Sequence, residues 1–162
     1  MVEVPAGAVT LGLSSGGGAF GWDNEFEAHT VVVPSFAIDQ YKITNAEFLQ
    51  FMQAGGYENR ACWTDADWQW KVTHNITHPA FWRRAGDGWH YRGMFEEVAL
   101  SLDGPVYVSQ AEASAYAHSV RKKLPTETQW QRAAKGTPSG NADFGHWDPT
   151  PVNAFLGSRK NA

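Results

Sequence analysis

Along the chain, the order of apolar and polar positions marks out a short opening strand, three capped helices and long stretches with no sustained period. Residues 4 to 13 read as a strand. Ser14 to Gly18 follow as a glycine-serine turn, where positive backbone dihedrals carry little cost. Val31 to Val33 and Phe36 to Ile38 read as an edge strand divided by Pro34, because proline has no N–H to give a ladder.

The helix signals are sharper. Thr44 can cap backbone donors while Glu47, three residues on, reaches back to complete a capping box, with Ile43 and Phe48 at staple positions. Phe48, Phe51 and Met52 then form one apolar face, and Gly55 supplies a left-handed stop. A second box, Ser109 with Glu112, opens a helix presenting Ala113, Tyr116, Ala117 and Val120. The third, Thr126 with Gln129, follows Leu124-Pro125 and predicts Trp130, Ala133 and Ala134 on a buried side, ending at Gly136. Between the first two helices, Tyr57 to Leu102 reads as irregular chain with short strands, packed by Trp63, Trp68, Trp70, Trp82 and Trp89. Gly140 to Ala162 is rich in Gly, Pro, Asn and Asp and reads as loop or tail.

Composition adds bounds to this picture. A chain of 162 residues with 43% apolar and 14% aromatic content can bury one sizeable core, so one domain over 1–162 is expected. The net charge of -4 comes from interspersed signs, the longest like-charged run being Arg121-Lys122-Lys123, which argues against a nucleic-acid surface. Cys62 is the only cysteine, so no internal disulfide can form. Met1 to Pro5 carry neither the basic nor the apolar segment of a signal peptide. No apolar run approaches the roughly 18 residues that span a bilayer. The expectation is a soluble, cytoplasmic protein without a membrane partner.

Candidate chemistry is sparse. The glycine run lacks the Lys-Ser/Thr of a phosphate loop and the spacing of a dinucleotide fingerprint. His74 and His78 have the spacing of metal ligands on one helical face, but Ile76, Thr77 and Pro79 argue against a helix there, so surface or hydrogen-bonded histidines are the better reading. Asp23, Asn24, Glu25 and Glu27 concentrate oxygen atoms around Trp22 without the alternating pattern of a calcium loop, which favours a solvated turn or an interface loop. Cys62, between Ala61 and Trp63, reads as a small buried hydrophobe, and Asn75-Ile76-Thr77 as a chance match to a glycosylation acceptor. The eight tryptophans could offer a surface for sugars or cations, but read mainly as core. No residue is assigned to catalysis or to a metal. The candidate substrate or interface residues are Trp22, Asp23, Asn24 and Glu25, an aromatic with hydrogen-bonding groups in a loop.

Several strings resemble one family. Phe20-Gly21-Trp22-Asp23-Asn24-Glu25 resembles the opening of sulfatase-modifying-factor domains, and Val33 to Asp39 followed by Ile43 to Phe48 its strand-then-helix segment. His78-Pro79 with Trp82-Arg83 is similar to its histidine-proline loop, and Pro105 to Ala113 and Leu124 to Trp130 to two of its helix starts. Asn141 to Phe144 with His146 to Pro149 resembles the ergothioneine branch, that of the hercynine sulfoxide synthases, more than the formylglycine-generating branch. The likeness runs from 19 to 155, with 156 to 162 as a tail. It implies an α+β fold related to C-type lectins, with short strands, about three short helices and much irregular chain.

The resemblance also implies a role. Hercynine sulfoxide synthases use non-haem iron(II) and oxygen to join cysteine or γ-glutamylcysteine to the imidazole of hercynine. In that family the iron histidines lie in a preceding helical domain, and the catalytic tyrosine and most thiol contacts in the later half of the modifying-factor domain. This chain therefore reads as a partial domain without a cofactor of its own, inactive alone, with the helical iron domain and the later half as partners. Exposed apolar surface is a further expectation. A non-catalytic lectin-like binding module is the alternative. A formylglycine-generating oxidase is the third reading, weakened because the copper-binding cysteines of that branch have no counterpart here. His118-Ser119-Val120 departs from the tryptophan and glycine common in the family.

Overall fold

The computed structural model describes residues 1–16, 20–135, 141 and 145–155. Among them are seven strands, β1 (Val2–Val4), β2 (Gly7–Leu11), β3 (His29–Val33), β4 (Phe36–Ile38), β5 (Trp82–Ala85), β6 (Gly88–Arg92) and β7 (Glu97–Ala99). Four α-helices accompany them, α1 (Asn45–Gln53), α2 (Asp65–Thr73), α3 (Gln110–Ser119) and α4 (Glu127–Ala134). The result is an α+β fold of small antiparallel sheets, as a sulfatase-modifying-factor, C-type-lectin-like domain requires. The described residues fall into two compact units, one drawn from 1–40 and 125–135, the other from 41–124, 141 and 145–155.

In the first unit the predicted strand over 4 to 13 is two strands, because Pro5 interrupts the ladder. β1 pairs antiparallel with β4, setting Val2 opposite Ile38, while β2 pairs with β3, setting Gly7 opposite Val33. The expected edge strand around Pro34 is thus two strands with different partners. On the β2–β3 pair, Val9 and Val33 are buried on one face while Thr10, Thr30 and Val32 are exposed on the other, the alternation a half-buried sheet imposes. α4 packs against β2 and β3. Its capping box is as expected, Gln129 N–H donating to Thr126 Oγ1 at 3.2 Å and Thr126 N–H to Gln129 Oε1 at 2.9 Å. Of its expected buried side, Ala133 and Ala134 are half-buried, while Trp130 is 56% exposed. Thr128 and Arg132, one turn apart, are half-buried as well, and Trp130, two positions from each, cannot share their stripe. The predicted end at Gly136 lies outside the described residues, as do Gly17, Gly18 and the tail 156 to 162.

The second unit has an aromatic core. Phe48 and Phe51 of α1 meet Tyr57, Trp63 and Trp82, with Ala111 and Ala115 of α3. Phe48 stacks on Tyr116 with centroids 5.7 Å apart and meets Trp82 edge-on at 6.3 Å. The α1 box forms as read, with Glu47 N–H to Thr44 Oγ1 at 3.2 Å and Thr44 N–H to Glu47 Oε2 at 2.8 Å, and Gly55 takes φ +78° just past the helix. On α3 the cap also forms, but the buried face is Ala111, Glu112, Ala115 and Ala117, while Val120 is exposed. Ala117 and Tyr116 of the expected face do meet the core, and small side chains at Ala111 and Ala115 let α3 lie close over the rings of α1.

Tyr57 to Leu102 is more ordered than expected. α2 brings the helices to four, capped by Thr64, whose Oγ1 accepts from Asp67 N–H at 3.2 Å. Its third position carries the shorter Asp67 rather than Glu or Gln, so the capping-box pattern does not announce it. β5, β6 and β7 form an antiparallel meander turning at Gly86-Asp87, with Arg84 opposite Trp89 and Tyr91 opposite both Trp82 and Val98. Described residues of the Gly140 to Ala162 stretch are turns and extended chain, in line with the loop reading.

Candidate functional site

Within the second unit, the end of α1, the chain after it and the β5–β6 hairpin enclose an open cavity of about 630 Å³. Tyr57, Glu58, His78, Arg83, Arg84 and Trp89 supply its chemistry, with Met52 and Thr77 completing the wall. The hairpin register sets Arg84 across from Trp89, and the guanidinium carbon lies over the indole at 4.5 Å. Trp89 in turn contacts the His78 ring at 5.3 Å and the buried Trp82 ring at 5.6 Å. One wall is thus a run of flat rings fixed from behind by the core.

Behind the cavity, Tyr57 donates its phenolic hydrogen to Glu112 Oε1 at 2.5 Å. Glu112, only 3% exposed, accepts at Oε2 from Ser109 N–H and Ser109 Oγ, both at 2.8 Å. One carboxylate therefore caps α3 and anchors the tyrosine. Burial and the neighbouring Glu112 carboxylate push the Tyr57 phenol far above its ordinary value, so it stays protonated and donating. Burial, with Arg83 and Arg84, pulls His78 below the usual imidazole range against an opposing pull from Glu112, which favours a neutral ring at pH 7. Its Nδ1 lies 2.9 Å from Thr77 Oγ1.

A second cavity of about 390 Å³ shares Met52, Arg84 and Trp89 with the first and is lined otherwise by Leu49, Leu100 and Leu102, with Gln53, Asp87 and Gly88. Arg84 and Trp89 therefore line both cavities.

The residues named from sequence lie in the first unit. Trp22 opens a single 3-10 turn, Asp23–Glu25, in which Glu25 Oε2 accepts from Trp22 N–H at 2.7 Å. The Trp22 ring is 68% exposed and meets Phe20 edge-on at 5.3 Å. Asp23 and Asn24 are exposed, and the Glu25 carboxylate is engaged in holding the turn. Leu13 N–H to Glu25 O at 2.7 Å and Ala28 N–H to Leu13 O at 3.0 Å close the loop. Of the two histidines, His74 ends α2, its Nδ1 2.8 Å from Trp70 O, while His78 lies beyond that helix in the cavity wall. Cys62 is buried, as read, and burial raises its thiol pKa.

Tyr57, Glu58, Arg83 and Arg84 were not singled out from sequence as site residues. The available signal was the Ala85-Gly86-Asp87-Gly88 turn, whose two-residue hairpin fixes Arg84 against Trp89. Tyr57 and Glu112 are 55 positions apart and share no local pattern.

Iron does not fit this set. No group of three or more His, Cys, Asp or Glu side chains among the described residues could hold an ion. No described helix is long and apolar enough to cross a membrane.

Hercynine oxygenase from Mycobacterium tuberculosis is 36% identical over 142 residues, covering 85% of this chain and 33% of that protein. Hercynine oxygenase from Mycolicibacterium thermoresistibile is 36% identical over 152 residues, covering 91% and 33%. Formylglycine-generating enzyme from Thermomonospora curvata is 31% identical over 153 residues, covering 84% and 48%. The chain thus spans about a third of the length of the two hercynine oxygenases. The family profile of the sulfatase-modifying factor enzyme 1-like domain matches residues 1–158, and the chain belongs to that family.

Proposed function

We propose that this chain is the modifying-factor portion of a hercynine oxygenase of ergothioneine biosynthesis, a partial domain over 1–162 that is inactive by itself. The observation that carries this reading is the 36% identity to hercynine oxygenase over 85% of the chain. In this reading iron(II) is held by a separate helical domain, and hercynine with cysteine or γ-glutamylcysteine are the substrates. Trp22, Asp23, Asn24 and Glu25 are retained as substrate or interface residues, supported by the exposed ring and its closed loop. A cytoplasmic setting is part of the proposal, supported by the free thiol of Cys62.

The test is a chimera in which residues 19–155 replace the matched segment of the M. thermoresistibile hercynine oxygenase. It is incubated with ferrous iron, hercynine and γ-glutamylcysteine or cysteine, with sulfoxide read by mass spectrometry. Sulfoxide from the chimera and none from the isolated chain is the expected result. A folded, iron-loaded chimera that makes none with either thiol defeats the proposal. The second reading, a non-catalytic binding module, is favoured by the aromatic-walled cavity and would be selected by ligand binding without turnover.

A further inference from the structure

The charges facing the 630 Å³ cavity do not balance. Arg83 and Arg84 stand against the one carboxylate of Glu58, and His78 is held towards neutrality, which leaves an excess of positive charge. Among the described residues neither guanidinium makes an ion pair with a carboxylate. Arg83 has one weak bond, Nη1 to Trp82 O at 3.4 Å, and the Arg84 guanidinium carbon lies over the Trp89 ring at 4.5 Å. That cation–π contact restrains Arg84 before any ligand arrives and leaves its N–H donors without a carboxylate partner.

The walls restrict which anion fits. Met52, Trp89 and the ring of Tyr57 are apolar, and beyond Met52, Arg84 and Trp89 the second cavity continues with Leu49, Leu100 and Leu102. A bare inorganic anion would find its charge partners but leave these surfaces wet. A neutral apolar molecule would have to displace water from two unpaired guanidinium groups. A carboxylate matches the planar fork of an arginine, and an apolar body joined to it matches the rings.

We propose that the cleft between the end of α1 and the β5–β6 hairpin is a binding site for a small amphipathic carboxylate. Its carboxylate is held by Arg83 and Arg84, and its apolar body lies along Trp89 and Met52 towards the leucines of the adjoining cavity. The inference stands on the cavity and not on the proposed activity: failure here leaves the chimera experiment untouched, and the reverse holds.

The experiment titrates the full 162-residue chain with 4-phenylbutyrate, 4-phenylbutyramide and acetate, following the Trp89 indole N–H by NMR, assigned with Trp89→Phe. The expected result is a saturable shift of that resonance with 4-phenylbutyrate. The amide, which lacks the charge, should bind roughly tenfold or more weakly, the scale of a lost charge-assisted hydrogen bond. Acetate, which lacks the apolar body, should also bind more weakly. Arg83→Gln with Arg84→Gln should abolish the preference for acid over amide, while Arg92→Gln, on the same sheet and outside the cavity, should leave it unchanged. Equal affinity for acid and amide in the unaltered chain overturns the proposal without any variant. So does the absence of a saturable shift, or binding by acetate as tight as by 4-phenylbutyrate.

Discussion

Among the described apolar side chains, the first unit buries only Val9 and Val33, whereas the second buries Phe48, Phe51, Tyr57, Trp63 and Trp82 around two alanines of α3. The first is organised by backbone ladders, by the α4 cap and by Arg132, whose Nη2 donates to Pro5 O at 3.2 Å. The second is organised by large rings in mutual contact. Precise placement of a binding group needs neighbours that cannot move, and only the second unit surrounds its candidate site with such neighbours. Trp89 rests on Trp82, and Tyr57 is tied to a buried carboxylate. In the first unit, Trp22 meets Phe20, itself an exposed ring.

The largest consequence is for the tryptophans. Trp82 is 1% exposed, and Trp82→Ala should cost about 3–5 kcal/mol through lost burial and the cavity left behind. Trp22→Ala should cost about 0.5 kcal/mol or less, as a surface change does. Urea unfolding of the two variants beside the parent chain measures both. Equal losses would mean that the loop around Trp22 is as integral to stability as the aromatic core.

How far the sequence revealed each unit depends on the range of the interactions involved. Capping boxes are local, and the starts at Thr44, Ser109 and Thr126 are where the residues placed them. Faces of helices depend on what they meet, so Val120 and Trp130 were expected inside and are outside. The β5–β6–β7 meander is built of strands too short for a clear period, and α2 lacks the Glu or Gln of a full box. The candidate cavity was the least visible part. Its chemistry joins Tyr57 to Glu112 and brings Glu58, Arg83 and Arg84 to one cavity, an arrangement that exists only once the chain has folded.

A second test of the contrast uses alkaline pH. Tyr57 has a folded-state pKa raised above its unfolded value near 10, so its contribution is fully present below pH 10 and is lost as pH rises, because the unfolded phenol releases its proton while the folded one keeps it. Each unit above pH 10 should remove about 1.4 kcal/mol on account of this group. Burial also raises Tyr91 and Cys62, which act with the same sign, so the share of Tyr57 is obtained by difference. Denaturant unfolding from pH 8 to 11.5 should show a shallower alkaline decline for Tyr57→Phe than for the parent chain. Parallel curves would show that the Tyr57–Glu112 bond does not hold the phenol protonated.

The smallest effect separates the units most directly. Thr44→Ala and Thr126→Ala each remove a side-chain acceptor from a capping box, a loss of about 1 kcal/mol for a typical helix. α1 carries Phe48 and Phe51 into the core, so its unravelling is coupled to the whole second unit, and Thr44→Ala should lower the global unfolding free energy by that amount. α4 buries no residue fully, so Thr126→Ala should appear first as faster amide exchange within Glu127–Ala134, with α1 and α3 unchanged. Amide hydrogen exchange on both variants distinguishes the two responses. If Thr126→Ala speeds exchange in α1 and α3 as much as in α4, the helix that fully buries no residue is nevertheless bound into the same cooperative unit as the aromatic core, and the contrast between the two regions is one of composition alone.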